Sequence, residues 1–276
     1  MGKFSRTWEL MSASWQALKQ DRALMIFPLF SMICCLIVIA SFAIPMYSNG
    51  TWEPPGEGAT TEDQIMYYVT LFLFYFCNYF VIVFFNSAII ACATIRMKGG
   101  RLTIGEGFRA SFSLLPFIIG WAVVAATVGL ILRIIEDRSK KIGRFVAGFL
   151  GIAWSVTSFL VVPVMVVEEK GPFAALSESA RLLKKTWGEQ IISHFSYELI
   201  FFVLGIPAFV LIAFGVLSGS MAATIIFIII GIVYLVTLAL IESALQSIFQ
   251  AALYLYAREG KVAEGFSLEL LRKSIR

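Results

Sequence analysis

Charged residues are clustered along this chain, with long apolar intervals between the clusters. No charge occurs between Arg22 and Glu53, Asp63 and Arg96, Arg109 and Arg133, or Arg144 and Glu168. A last apolar region, from about residue 191 to 257, contains only Glu198 and Glu242 as charged residues. A spanning helix needs about 20 apolar residues, because each rises 1.5 Å and the hydrocarbon core is about 30 Å thick. In lipid every backbone polar group must be satisfied within the segment, so these intervals are expected to be helical. They predict spans at about 24–46, 65–95, 114–132 and 145–166. Leu217-Ser218-Gly219-Ser220 divides the last region into spans at about 191–216 and 221–245, the latter continuing as helix towards Arg258. Pro28, Pro45, Pro116, Pro163 and Pro207 fall near span ends or at kinks. The expected fold is therefore an all-α polytopic transmembrane bundle with about six spans.

The segments between spans carry a second pattern. Phe4, Trp8, Met11, Trp15 and Leu18 share one helical face, with Lys3, Arg6, Glu9, Gln16 and Lys19 off it. Before the fifth span, Pro172 suits a first helical position. Phe173, Leu176, Ala180, Leu183 and Trp187 then form a stripe, with Glu178, Arg181, Lys184 and Lys185 as the polar side. Before the third span, Ile104, Phe108, Phe112 and Leu115 repeat the motif in shorter form. Such helices are expected to lie at the cytoplasmic leaflet, with tryptophans in the headgroup zone. One membrane domain built from three units follows: 1–97, 98–167 and 168–257, each an amphipathic helix and two spans. A cytoplasmic helix at 258–276, striped by Val262, Phe266 and Leu270, closes the chain.

Composition sharpens this picture. The chain has 276 residues, 59% hydrophobic and 14% charged, and its mean hydropathy is +0.85. Soluble domains are about 45–50% apolar and about 25% charged, so too few charges remain here to cover a water-facing surface. The net charge of +4 comes without the basic run and aromatic pattern of a nucleic-acid binder. Cys34, Cys35, Cys77 and Cys92 lie in apolar stretches and read as packing residues, and one histidine argues against zinc. The first apolar stretch is longer than a signal-peptide core, so no cleavage is expected.

Basic residues set the expected orientation. With the N-terminus inside, segments 1–22, 96–113, 168–190 and 257–276 hold 17 of the 22 Lys and Arg, which favours both termini in the cytoplasm of a plasma or inner membrane. The outer segment 47–64 holds only acids, and its Asn49-Gly50-Thr51 reads as a turn. One loop dissents: residues 133–144 carry Arg133, Arg138, Lys140, Lys141 and Arg144 on the outer side. Either the flanking loops overrule it and the charges snorkel to lipid phosphates, or it is a collar for anions or headgroups, or spans three and four form a re-entrant pair.

Ionisable and amide side chains are costly within spans, which makes each a candidate site. Asn78 and Asn86 share a face of the second span, Glu198 lies in the fifth and Glu242 in the sixth, with Gln246 one turn beyond. His194 is one turn before Glu198. Three readings stand for this set: interhelical hydrogen bonding that fixes packing, a polar site coupled to a cation or headgroup, or exposure at the interface, especially for His194. Candidate lipid-interface residues are Trp8, Trp15, Trp187, Lys184, Lys185, Arg138, Lys140 and Lys141. Glu168-Glu169 reads as solvated. No serine elbow, phosphate loop, HExxH or paired-cysteine motif occurs, so no enzymatic activity and no cofactor are expected.

Four segments carry a family resemblance: residues 4–10 (FSRTWEL), 105–111 (GEGFRAS), 162–168 (VPVMVVE) and 184–189 (KKTWGE). They resemble an uncharacterised family of prokaryotic six-span integral membrane proteins over nearly the whole chain. The layout alone is similar to the membrane domain attached to some glycerophosphodiester phosphodiesterases, which implies no phosphodiesterase activity here. The expected partners are membrane lipids, anionic by the basic flanks, and a protein partner or second copy, but not nucleic acid. The leading expectation is a non-enzymatic protein organising lipid or a partner at the cytoplasmic leaflet. The alternative is a small transporter or channel-like carrier using the intramembrane carboxylates.

Overall fold

The computed structural model describes residues 3–50, 54–56, 58, 60–100, 103–138, 142–185 and 189–259. Among the described residues all regular structure is helical. The helices are α1 (Lys3–Gln20), α2 (Ile26–Ser48), α3 (Thr61–Met97), α4 (Ile104–Ser113), α5 (Leu115–Arg138), α6 (Ile142–Ser158), α7 (Val161–Glu168), α8 (Pro172–Lys185), α9 (Glu189–Leu217) and α10 (Met221–Glu259), with a 3-10 turn over Arg22–Met25 joining α1 to α2. Among the described residues, six stretches are long and apolar enough to cross a membrane: Arg22–Ser48, Thr61–Met97, Leu115–Asp137, Gly143–Glu168, Leu199–Leu217 and Met221–Arg258. The chain is an all-α polytopic bundle. Asn49 and Gly50 form the expected turn, Gly50 taking the left-handed backbone that glycine permits. Capping boxes open α3 and α4: Thr60 Oγ1 accepts from Asp63 N–H and Thr103 Oγ1 from Glu106 N–H, each at 3.2 Å.

The fourth span, read as one helix from the sequence, breaks between Ser158 and Val161. Pro163 is the cause. It has no N–H to donate to Phe159 O, and its ring clashes with that carbonyl in a continuous helix. A new helix starts instead, with Pro163 in its first turn, where a missing donor costs nothing. The break exposes backbone groups inside the protein, and Ser179 of α8 fills the gap. Its Oγ accepts from Leu160 N–H at 3.1 Å and donates to Thr157 O at 2.7 Å.

Helices α3 and α10 have 37 and 39 residues, so each is far longer than the hydrocarbon core requires at 1.5 Å per residue. Their C-terminal thirds carry most of their buried positions, from Val83 to Thr94 and from Ala244 to Leu255. These pack with Leu18, Phe27, Ile118, Leu160, Met165 and Leu182 in one core. The opposite half of the bundle is different: Leu36, Ile44, Ile65, Phe149, Phe209 and Ile229 are all exposed apolar residues. The tight core thus lies at the end where α1, α4 and α8 are attached.

Those three amphipathic helices dock on the bundle with their expected stripes partly buried and partly open. On α1, Met11, Ala13, Ser14 and Leu18 are buried while Trp15 is 37% exposed. On α4 the buried residues are Gly107 and Ser111, and Phe112 is 62% exposed. On α8 they are Ala175, Glu178, Ser179, Leu182 and Leu183, and Phe173 is 74% exposed. Phe112 and Phe173, stripe residues expected at the leaflet, face outward. Small residues among the buried ones, Ala13, Ser14, Gly107, Ser111, Ala175 and Ser179, allow close helix approach. Ser111 Oγ donates to Phe84 O of α3 at 2.8 Å, and Phe108 stacks into an aromatic group with Phe27, Phe84 and Phe85.

Helices α9 and α10 form a hairpin closed by glycines. A Cβ on Gly231 would lie 2.7 Å from Ile212 Cγ1, and one on Gly215 would lie 2.7 Å from Phe227 Cβ. Tyr234 Oη donates across the pair to Leu204 O at 2.8 Å. Gly231→Leu is expected to force the helices apart and cost about 1–3 kcal/mol, as overpacking does. Thermal unfolding in detergent checks this against Gly148→Leu, whose position faces open space.

Candidate functional site

Two carboxylates, Glu168 at the end of α7 and Glu178 on α8, sit almost buried at the tightly packed end. Their side chains are 12% and 8% exposed. The sequence reading placed Glu168 with Glu169 in solvent and Glu178 on a polar face, and the structure corrects both. Glu169 ends α7 in a left-handed conformation, so the two adjacent acids do not share helical geometry. The chain then turns, and α8 lays Glu178 beside Glu168.

Each carboxylate is held by cations. Lys170 Nζ lies 2.6 Å from Glu168 and 3.6 Å from Glu178. Arg258, in the last turn of α10, reaches Glu168 at 3.5 Å and Glu178 at 3.4 Å. One Arg181 nitrogen, Nη2, donates to both Glu178 oxygens at 2.6 and 2.7 Å. Tyr254 Oη donates to Glu168 Oε1 at 2.7 Å. Charge-assisted bonds of this kind are short and strong, and a network limits the desolvation cost of each acid. It joins the consecutive helices α7 and α8 to α10, which is distant in sequence. With its anionic positions already satisfied by three cations, it is a clamp rather than a free reactive pair.

The Arg181 bond, with Lys170 and Arg258 nearby, holds the Glu178 carboxyl below its ordinary pKa of 4.5. Its unfolded-state value is the higher of the two. The stabilisation is therefore complete above about pH 4.5 and is lost as pH falls through the lower folded value. Melting temperature should fall on acidification in the wild type, and Glu178→Gln should start lower at neutral pH and fall less over the same range.

The intramembrane polar residues do not make one described site. Asn78 Nδ2 donates to Phe74 O of its own helix at 2.8 Å, a local satisfaction that needs no partner span. Asn86, Glu242 and Gln246 are half-buried on α3 and α10, which pack together, and Glu242 is engaged with a neighbour. The side chains of His194 and Glu198 lie outside the described residues, as do those of Trp8, Lys184, Lys185 and Arg138, and the whole of Trp187, Lys140 and Lys141. In the dissenting basic loop, α5 continues to Arg138, and Arg133 pairs with Asp137 at 3.3 Å and Glu136 at 3.5 Å on its own helix. Part of that loop's positive charge is thereby neutralised.

The outward faces of the docked helices share a chemistry. Trp15 carries Lys19 above its ring, Nζ 5.4 Å from the centroid. Phe112 is exposed three residues after exposed Arg109, and Phe173, Ser177 and Arg181 follow one another along the open face of α8. Each face pairs an aromatic ring with a cation. The sequence stripes placed Phe112 and Phe173 toward the leaflet, and both are exposed, but periodicity did not give the face that docks on the bundle. The signal available in the sequence was the small residues Gly107, Ser111, Ala175 and Ser179, which mark the contact side.

Residues 65–265 match the model of a family of unknown function, DUF6159. No curated protein and no solved structure matches the chain.

Proposed function

We propose that this chain, which belongs to the DUF6159 family of unknown function, is a non-enzymatic protein of the plasma or inner membrane. Both termini lie in the cytoplasm, and the chain organises anionic lipid or a protein partner at that leaflet. The observation that carries this reading is the open face on each of α1, α4 and α8, where an aromatic residue accompanies a cation. Aromatic rings favour the headgroup zone, and each basic residue near an anionic surface adds about 1 kcal/mol of attraction. The Glu168–Glu178 clamp supports it by holding α8 to α7 and α10, so that this face has a fixed direction. Basic segments concentrated at the same end support the cytoplasmic orientation.

The test is native mass spectrometry of the gently purified protein, comparing the wild type with the triple variant Trp15→Ser, Phe112→Ser, Phe173→Ser. Retained anionic lipid or a stoichiometric partner, lost in the triple variant, is the expected result. A bare wild-type protein would overturn the reading. Flux assays on Glu198→Gln, Glu242→Gln protein in proteoliposomes would then test the carrier alternative.

A further inference from the structure

A cavity of about 120 Å³ opens between the C-terminal ends of α1 and α3 and the side of α10. Its polar lining is Gln16, Gln20, Asp21 and Arg96, and buried Leu24 and Ile248 form part of its apolar lining. By volume it holds roughly four waters, and polar cavities of this size are not left empty. Asp21 immediately precedes the first apolar span and Arg96 is the penultimate residue of the second, so the cavity sits at the depth where hydrocarbon gives way to headgroups.

The charges in it are matched one to one. Asp21 Oδ2 lies 3.1 Å from Arg96 Nε. That oxygen is buried, and the exposure of the side chain lies on the rest of the carboxylate, which remains open to a ligand. The two side chains are 24% and 46% exposed, and an ion pair this open contributes little to folding. A carboxylate, a guanidinium and two carboxamides around one polar space suit a ligand that carries both charges. The carboxylate takes an ammonium, and the guanidinium with the amides takes a phosphate. A purely anionic ligand would meet the Asp21 carboxylate, which disfavours it.

We propose that this cavity binds the ammonium–phosphate headgroup of a phospholipid, the chemistry of phosphatidylethanolamine. The proposal rests on the reading of the chain as a lipid-organising membrane protein and adds a selective site to its less selective anionic surface. The headgroup enters at the rim where Gln16, Gln20 and Arg96 are exposed, and the acyl chains remain with the apolar starts of the spans.

The test loads the intact purified protein from mixed micelles holding equal phosphatidylethanolamine and phosphatidylglycerol, and reads retained lipid by native mass spectrometry. The wild type should retain phosphatidylethanolamine preferentially. Asp21→Asn removes the ammonium partner, and Ala17→Phe fills the cavity from its wall without touching a charge. Each should reduce that retention roughly tenfold and leave phosphatidylglycerol unchanged, Asp21→Asn by the loss of one charged contact and Ala17→Phe by occlusion. Unchanged phosphatidylethanolamine retention in both variants would overturn the site. Equally tight binding of free O-phosphoethanolamine to delipidated protein would overturn the lipid as its source. Both results leave the leaflet-organising reading standing, because that reading is measured by anionic-lipid or partner retention and by the Trp15, Phe112, Phe173 triple variant.

Discussion

Ser179→Ala should lower the stability of the protein by about 2–4 kcal/mol, a large loss for the removal of one oxygen atom. Ser179 is fully buried, and its hydroxyl occupies the break between α6 and α7. Without it, the buried Leu160 N–H loses its acceptor and Thr157 O loses its donor. Leu160, Val161 and Leu182 nearby in the chain are buried too, which disfavours a replacing water. The buried Leu160 N–H left without a partner costs about 1–3 kcal/mol and the half-buried Thr157 O adds about 1 kcal/mol, which sets the range. Ser177→Ala, on the exposed face of the same helix, should change stability by less than about 0.5 kcal/mol. Thermal or denaturant unfolding of both variants in one detergent decides the matter. Equal effects would show that the break is satisfied some other way.

Gly105 and Gly107, two residues apart on α4, should respond to alanine with opposite signs. A Cβ on Gly105 meets open space, so Gly105→Ala should stabilise the helix by about 0.5–1 kcal/mol through the entropy lost from the unfolded chain. A Cβ on Gly107 would lie 2.6 Å from Phe27 Cζ, 2.7 Å from Cys92 Sγ and 3.2 Å from Ala88 O. The first two atoms sit in the core and the third is backbone of α3, so none can retreat cheaply. Gly107→Ala should cost about 1–3 kcal/mol, and Gly107→Val more. Paired unfolding curves, with far-ultraviolet circular dichroism to confirm retained helix, read both. A neutral Gly107→Ala would mean that α4 does not dock on Phe27 and Cys92 as described.

The number of spans was legible because it depends on one-dimensional quantities. A run of uncharged residues long enough for lipid must be helix, whatever its neighbours, and Leu217-Ser218-Gly219-Ser220 marks a turn by local chemistry alone. The break in the fourth span was half legible. Pro163 announces a kink, but where the chain parts depends on Ser179, nineteen residues from Leu160, being present to satisfy the opened backbone. The amphipathic helices were legible as helices with Phe112 and Phe173 on an apolar stripe, but the face each turns to the bundle was not. Hydrophobic periodicity finds an apolar face without saying whether bundle or leaflet covers it. In a protein whose surround is itself apolar or interfacial, large aromatics can face outward, and small residues define where helices meet.

The candidate site was the least legible part. Glu168 and Glu178 read as solvated acids because nothing nearby in sequence offers Glu168 the Tyr254 hydroxyl or either acid the Arg258 guanidinium. Asp21 and Arg96 are 75 residues apart and gain meaning only when the ends of α1 and α3 enclose the same cavity. The sequence by itself determined the helices, the spans and the end of the bundle where basic charge collects, since each follows from length, local hydropathy and local charge. Tertiary structure alone decided which polar groups are partnered and which faces remain open, since desolvation and ion pairing depend on neighbours that helix packing, not chain order, brings together.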